Sequence, residues 1–315
     1  MLKFILRRIL WLIPVFFGIV ILIFSIIYIS PSDPTAIILG PGAGTEAKEQ
    51  LREELGLNDP YFVQLGRYLY NLCVHGDFGS SYVTQVPVIK SIMERLPRSL
   101  MIGGISMVVV VVTGIPLGVL AATHQNRFGD RIATLAALIG VSLPQFWLAL
   151  MLVVLFSSKL HWLPAFGISS WKSYIMPCLA VSVSIMAGLM RQTRSSMLEV
   201  IRSDYVVTAR AKGVSETRIT YRHALPNALI PLITYVGTEL GGIFGGTVVI
   251  ETIFTIPGIG TYMTTGINNN DLPIVEGCVI VLGIIFAIIM LVVDIAYAFA
   301  DPRMREQYSG KKGKH

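Results

Sequence analysis

A chain of 315 residues in which 53% are hydrophobic and only 14% charged falls well below the roughly one-quarter charged share of a soluble domain. The apolar residues lie in long uncharged runs, which excludes a water-soluble globule and points to one membrane-embedded domain over residues 1–315. The net charge of +6 comes from basic loops beside those runs, with no basic face carrying interleaved aromatics, so nucleic acid is excluded as a partner.

The first apolar run, Ile9 to Ile29, follows Lys3, Arg7 and Arg8. It exceeds a signal-peptide core and no small-residue cleavage site follows, so a retained transmembrane helix is predicted. Further runs of spanning length are Leu100 to Ala122, Ile132 to Phe156, Tyr174 to Met190, Ala228 to Ile250 and Ile274 to Ala298. The expected fold class is an all-α integral membrane protein with six transmembrane helices and both termini on one side. Prolines at 14, 116, 144 and 231 are expected to kink four of the spans.

Orientation follows from Lys and Arg near the helix ends. Residues 191–223 carry Arg191, Arg194, Arg202, Arg210, Lys212, Arg218 and Arg222, and the tail carries Arg303, Arg305, Lys311, Lys312 and Lys314. Both regions and the N-terminus are expected in the cytoplasm of a cell whose plasma or inner membrane holds the chain. Residues 251–273 lack Lys and Arg, and residues 31–98 hold more acidic than basic groups, so both are expected outside.

The 31–98 segment is too long for a bare loop and has its own helix signals. Thr45 is placed to cap a helix that stops at Gly56, and Asn58 or Asp59 before Pro60 to start another. Tyr61, Leu65, Tyr68, Leu69 and Leu72 give that second helix an apolar face. A third, Pro87 to Leu96, is expected to lie in the membrane interface. Cys73, Cys178 and Cys278 and the five histidines show no metal-ligand spacing, and no hydrolase or nucleotide-binding motif occurs. No catalytic or metal-binding role is therefore expected.

The large inner loop is expected to fold as two helices. One ends in Lys212 and Gly213, as a helix stop should, and the other begins at Ser215 and Glu216 and runs to Pro226. With Ala209 and Ala211 before the glycine, the two helices can meet at a tight corner and project a compact knob. In the fifth span Gly237, Gly241, Gly242, Gly245 and Gly246 suit close helix packing, or alternatively a widened passage. Glu239, Gly241 and Gly245 are the candidate pathway residues, and both Glu239 and Asp294 need protein or water beside them. Pro257, Gly258 and Gly260 mark a tight outer turn.

Ala209, Gly213, Leu225 and Pro226 carry a resemblance to the EAA loop of ABC importer permeases. Val207 stands where that family often has glutamate, and His223 in place of an isoleucine. TARAKG followed by RHALPNALIP is similar to the peptide and nickel branch. So are MLKFILRRI, HGDFGSSY from His75, SLPQFW from Ser142, HWLPAFG from His161, VIETIFTIPGIG from Val249 and DPRMR from Asp301.

The resemblance implies a type I ABC importer permease fold, with an extracytoplasmic insert over 31–98 and a coupling loop over 191–226 that docks on the ATPase. It also implies a second homologous permease subunit, two cytosolic ABC ATPase subunits and an extracytoplasmic substrate-binding protein. ATP and Mg would sit on the ATPase subunits, with no cofactor on this chain. A peptide substrate, dipeptide or oligopeptide, fits the absence of histidine deep in a span better than nickel, which prefers imidazole or sulfur ligands. The alternatives are a nickel or other small-solute importer, and a gradient-driven secondary transporter, for which no internal repeat is evident.

The charge distribution makes a direct prediction. With the native cysteines replaced, a cysteine at Ser215 should resist an impermeant thiol reagent added to intact cells and react after the cells are opened. Labelling from outside would invert the topology.

Overall fold

The computed structural model describes residues 2–40 and 42–300, with side chains described for residues 6–40 and 42–296. The tail segment from Asp301 with its basic residues, and the side chain of Lys3, lie outside this range. Among the described residues all regular structure is helical, apart from an isolated antiparallel bridge between Ser80 and Pro87.

The first apolar run forms α1, Leu2–Ile29. A small helical cap follows, made of α2 (Pro34–Leu39), α3 (Thr45–Glu54) and α4 (Tyr61–Tyr70), the last running into a π-helical turn at Asn71–His75. Gly56 adopts φ +66° just past α3, as a helix stop requires. Neither expected side-chain cap forms. Thr45 is the first helical residue of α3, behind Gly44, while α4 starts behind Pro60 and Asp59 pairs with Arg67. The apolar face of α4 behaves as its spacing predicts: Leu65 and Leu72 are buried, and Tyr68 and Leu69 pack on a cluster built from Val20, Ile92, Ile274 and Cys278.

The second span is longer than expected. Pro87 to Leu96 is not a separate interfacial helix but the first turns of α5, Val88–Thr123, which continues through Pro97 and Pro116. Its amphipathic side is used inside the fold, because Val88 and Ile92 are fully buried among residues from α1 and from α13.

The third apolar run is broken. Helix α6, Phe128–Ser142, and α7, Gln145–Leu152, meet at 101°, and the second arm continues as a π-helical segment to Lys159. The cause is local. Proline disfavours helical backbone in the residue before it, and Leu143 takes ψ 125° ahead of Pro144. Pro14, Pro116 and Pro231, by contrast, lie within helices that run on through them.

Helix α8, Ile175–Ile201, carries the fourth span on past Met190, so Arg191 and Arg194 lie on a helix rather than in a loop. The expected single helix reaching Lys212 is divided at Arg202 and Ser203, and α9 covers Asp204–Ala211. After Gly213 comes a short turn, α10 (Glu216–Arg218), then a π-helical segment at Ile219–Ala224, then α11, Leu225–Ile253. Pro226 does not end a helix. It sits in the first turn of α11, where its missing N–H is no loss. The loop after α11 holds an unforeseen helix, α12 (Ile259–Asn268), and α13 (Leu272–Ala300) is the last span. Among the described residues five helices are long and apolar enough to cross a membrane, and the bent α6–α7 pair, taken as one span, brings the number to six.

Packing centres on α5 against α8. A β-carbon on Gly118 would come within 2.6 Å of the Met190 carbonyl oxygen, and one on Gly114 within 3.2 Å of that of Met186. Ser182 Oγ lies 3.2 Å from the Ser106 carbonyl oxygen and 2.6 Å from that of Cys178, so the hydroxyl satisfies itself between the two backbones. Small residues bring the helices together where hydrocarbon offers no hydrophobic drive. Gly118→Ala should therefore lower the stability of the detergent-solubilised protein by about 1–3 kcal/mol, the usual range for overpacking. Gly104→Ala, where a β-carbon meets nothing within 4 Å, should be near neutral in the same thermal-unfolding assay.

Candidate functional site

Three constellations stand out: a knob at one end of the bundle, a polar cavity in its side, and a pinned loop at the other end.

The knob is built by the corner after α9. Gly213 takes φ +78°, its N–H bonds to the Arg210 carbonyl at 3.0 Å, and the Val214 N–H bonds to that of Ala209 at 3.2 Å. This is the double closure of a Schellman stop, which needs a left-handed residue where glycine now sits. Arg210 then reaches across the corner to Glu216 with two bonds of 2.6 and 3.1 Å, and this pairing lifts the Arg210 pKa above its ordinary value. Val206 and Ile219 are buried beneath, and Met197, Ala224 and Ala228 pack against Val119 and Ala122 at the end of α5. Tyr205, Val207 and Tyr221 remain exposed. Of the predicted residues, Ala209 and Gly213 form the corner, whereas Leu225 and Pro226 open α11 behind it.

The cavity, of about 740 Å³, lies between α6, the start of α7, α8 and α11. Its polar lining includes Gln145, Arg191, Arg194, Tyr235 and Glu239. Arg194 is neutralised by the buried Asp130 through bonds of 2.6 and 2.9 Å, and Asp130 also accepts the Asn126 N–H at 2.8 Å. Glu239 thus faces a polar space, as its position in a span demands. The predicted glycines divide. Gly241 is buried against α13, where a β-carbon would lie 2.6 Å from the Phe286 ring, and Gly237 packs likewise on Val293. Gly245 is exposed with nothing within 4 Å of a notional β-carbon, and Gly246 neighbours Gln145. Gly241 is therefore a packing residue and does not line the cavity.

At the far end the loop before α12 is pinned by a residue that hydropathy alone does not single out. Glu251 is fully buried, and its carboxylate accepts the Thr261 N–H at 3.1 Å while filling the space beside Gly258 and Gly260. Ser99 Oγ accepts the Ile259 N–H at 2.9 Å, and Arg98 donates to the Pro257 carbonyl at 3.2 Å. Nearby, the buried Asp271 accepts from Ser81 Oγ at 2.5 Å and from the Tyr82 and Val83 N–H groups at 3.0 and 3.3 Å, tying the stretch before α5 to the start of α13. Burial, and then the Glu276 and Asp271 carboxylates, push the Tyr82 phenol up to about 12. Three glycine or proline positions flagged the loop in sequence, and the acidic residue six positions before Pro257 was the signal for its anchor.

These features define a multi-pass helical membrane protein with a projecting knob and a lateral polar cavity, the build of a transport permease. Residues 114–306 match the family described as binding-protein-dependent transport system inner membrane component, and residues 1–103 match the family described as the N-terminal part of the membrane component of such systems. The chain belongs to this family.

Its relatives include the dipeptide transport system permease protein DppB of Alkalihalophilus pseudofirmus. That protein is 40% identical over 333 residues, spanning 97% of this chain and 100% of its own length. The glutathione transport system permease protein GsiC of Escherichia coli K12 is 38% identical over 305 residues, spanning 97% of this chain and 99% of its own. Among solved structures, an inward-facing form of the MetNI methionine ABC transporter contains a chain that matches with a TM-score of 0.57 at 17% identity. The match covers 67% of this chain and 96% of that one, and it establishes the type I ABC importer permease fold.

The pinned loop makes a stability prediction. Glu251→Ala removes the acceptor of the part-buried Thr261 N–H and opens a hole beside two glycines, so it should destabilise the protein by about 1–3 kcal/mol. Glu251→Gln keeps an acceptor and should lose less. Thermal unfolding of both variants checks the order.

Proposed function

We propose that this chain is the pathway-forming permease subunit of an ATP-driven importer of peptides. The observation that carries the reading is the likeness, over 97% of the chain, to a permease named for dipeptide transport, seconded by one named for glutathione, itself a peptide. ATP hydrolysis, with its Mg, falls to two separate cytosolic ATPase subunits. A second homologous permease completes the pathway, and an extracytoplasmic binding protein delivers the substrate. The termini and the knob face the cytoplasm, and residues 31–87 with α12 face outside, in keeping with the distribution of Lys and Arg.

In this reading the knob is the coupling element over 191–226. A part that transmits force must be rigid and must offer a surface. The Schellman stop and the Arg210–Glu216 pair supply rigidity, and exposed Tyr205, Val207 and Tyr221 supply an apolar contact for a cleft on the ATPase. Ala209, half-buried inside the corner, sets how closely α9 and the following turn approach.

The test is uptake by the reconstituted importer with its binding protein, using labelled di- to oligopeptides and radioactive nickel. Peptide uptake is expected, and nickel uptake without peptide uptake would overturn the assignment. In the same vesicles Gly213→Leu should insert normally but lose most substrate-stimulated ATPase activity. A side chain there meets no neighbour within 4 Å, so the damage is backbone strain of about 1–2 kcal/mol at a left-handed residue. Wild-type stimulation in that variant would remove the knob from the coupling route.

A further inference from the structure

The lateral cavity holds three charged groups, and they are not equivalent. Arg194 is matched by Asp130. Arg191, on α8, and Glu239, on α11, line the same space, yet among the described residues neither forms an ion pair with the other or with any third group. Tyr235, one turn before Glu239 on α11, hydrogen-bonds with that carboxylate and lies within electrostatic reach of Arg191, which places the two charges around one phenol.

Both groups keep polar surroundings, as charges on a spanning helix must: Arg191 is exposed and Glu239 half-buried. Two opposite charges open to a common cavity therefore suit a ligand that carries both signs. The volume of about 740 Å³ falls within the range of small-molecule sites. Leu138, Val141 and Ile185 supply apolar wall in the same cavity.

We infer that Arg191 and Glu239 form a dipolar clamp for short peptides with both termini free, Arg191 taking the terminal carboxylate and Glu239 the terminal ammonium. This rests on the reading of the chain as a peptide permease and adds the chemical class of peptide. A guanidinium offers a carboxylate two parallel N–H donors, and a carboxylate accepts from an ammonium. Both are charge-assisted hydrogen bonds to groups every unblocked peptide possesses. The clamp thus demands free termini while tolerating any side chain against its apolar wall.

The test reads the cavity directly and does not pass through the binding protein's own selectivity. In the complete detergent-solubilised importer, Cys73→Ser removes the exposed native thiol and Ser184→Cys places one in the cavity wall. Millimolar dialanine should slow alkylation of that cysteine by N-ethylmaleimide several-fold. The half-protecting concentration should rise roughly tenfold for dialanine amide and for N-acetyl-dialanine, the loss of one charge-assisted bond. Arg191→Gln should weaken protection by free dialanine about as much and leave that by the amide unchanged, and Glu239→Gln should do the same for the N-acetyl form.

Equal protection by free and blocked dialanine, no protection at all, or equal weakening of every peptide in both variants would overturn the clamp. Uptake of labelled dialanine by the unmodified importer is measured in parallel. Uptake without this protection pattern sinks the clamp alone, whereas failure to move any peptide sinks the peptide reading and the clamp with it.

Discussion

The close approach of α5 to α8 governs the rest of the molecule. In hydrocarbon two helices gain nothing from hiding apolar surface, so their contact must come from dense packing, and density requires that backbones touch. Gly114 and Gly118 of α5 sit over the Met186 and Met190 carbonyls of α8, and Ser106 and Ser182 close the remaining gap with a hydrogen bond. Each functional region hangs from that pair. The start of α5 presents Arg98 and Ser99 to the pinned loop, its end presents Val119 and Ala122 to the base of the knob, and the second half of α8 carries Arg191 and Arg194 to the cavity. All three regions therefore share one packed pair of helices, from the knob at one end to the pinned loop at the other.

Charge placement follows the same solvent logic. Four acidic residues within or beside the spans have distinct resolutions. Asp130 takes a guanidinium and a backbone N–H, Glu251 and Asp271 take backbone N–H groups of loops, and Asp294 pairs with Arg8 of α1 at 2.7 Å. Three of these tie together segments distant in sequence, so the groups most expensive to bury are those that fix how loops and helices meet. Glu239 differs in lining a cavity beside the Tyr235 phenol of its own helix, where the others join loops or separate helices.

Sequence reading recovered what depends on composition and period. The spans, the glycine corner at Gly213 and the apolar face of α4 are all written in runs, spacings or single permissive residues. What it missed depends on neighbours in space. The register of Pro87 to Leu96 as part of α5 was hidden because an amphipathic turn looks the same against lipid headgroups as against α13. Arg191 counted only as a basic residue near a span end, since nothing in its own segment tells that α8 continues and turns it toward α11. The fifth-span glycines carried two readings that sequence left open, and the packing puts Gly237 and Gly241 in contact with α13 while Gly245 is exposed with nothing beside it.

The break at Pro144 explains why a cavity exists beside a tightly packed pair of helices. Had the run from Ile132 to Phe156 continued straight, it would have lain along α8 and covered the polar face of that helix. Proline instead holds Leu143 extended, α6 stays on α8 where Gly140 approaches Ala187, and α7 departs at 101°. The divergence leaves the space into which Gln145 and Glu239 project. A single backbone restriction thus converts what would be a packing surface into a polar chamber, and the helix that follows loses no hydrogen bond by it, because proline at the head of α7 stands where an N–H would have had no helical partner.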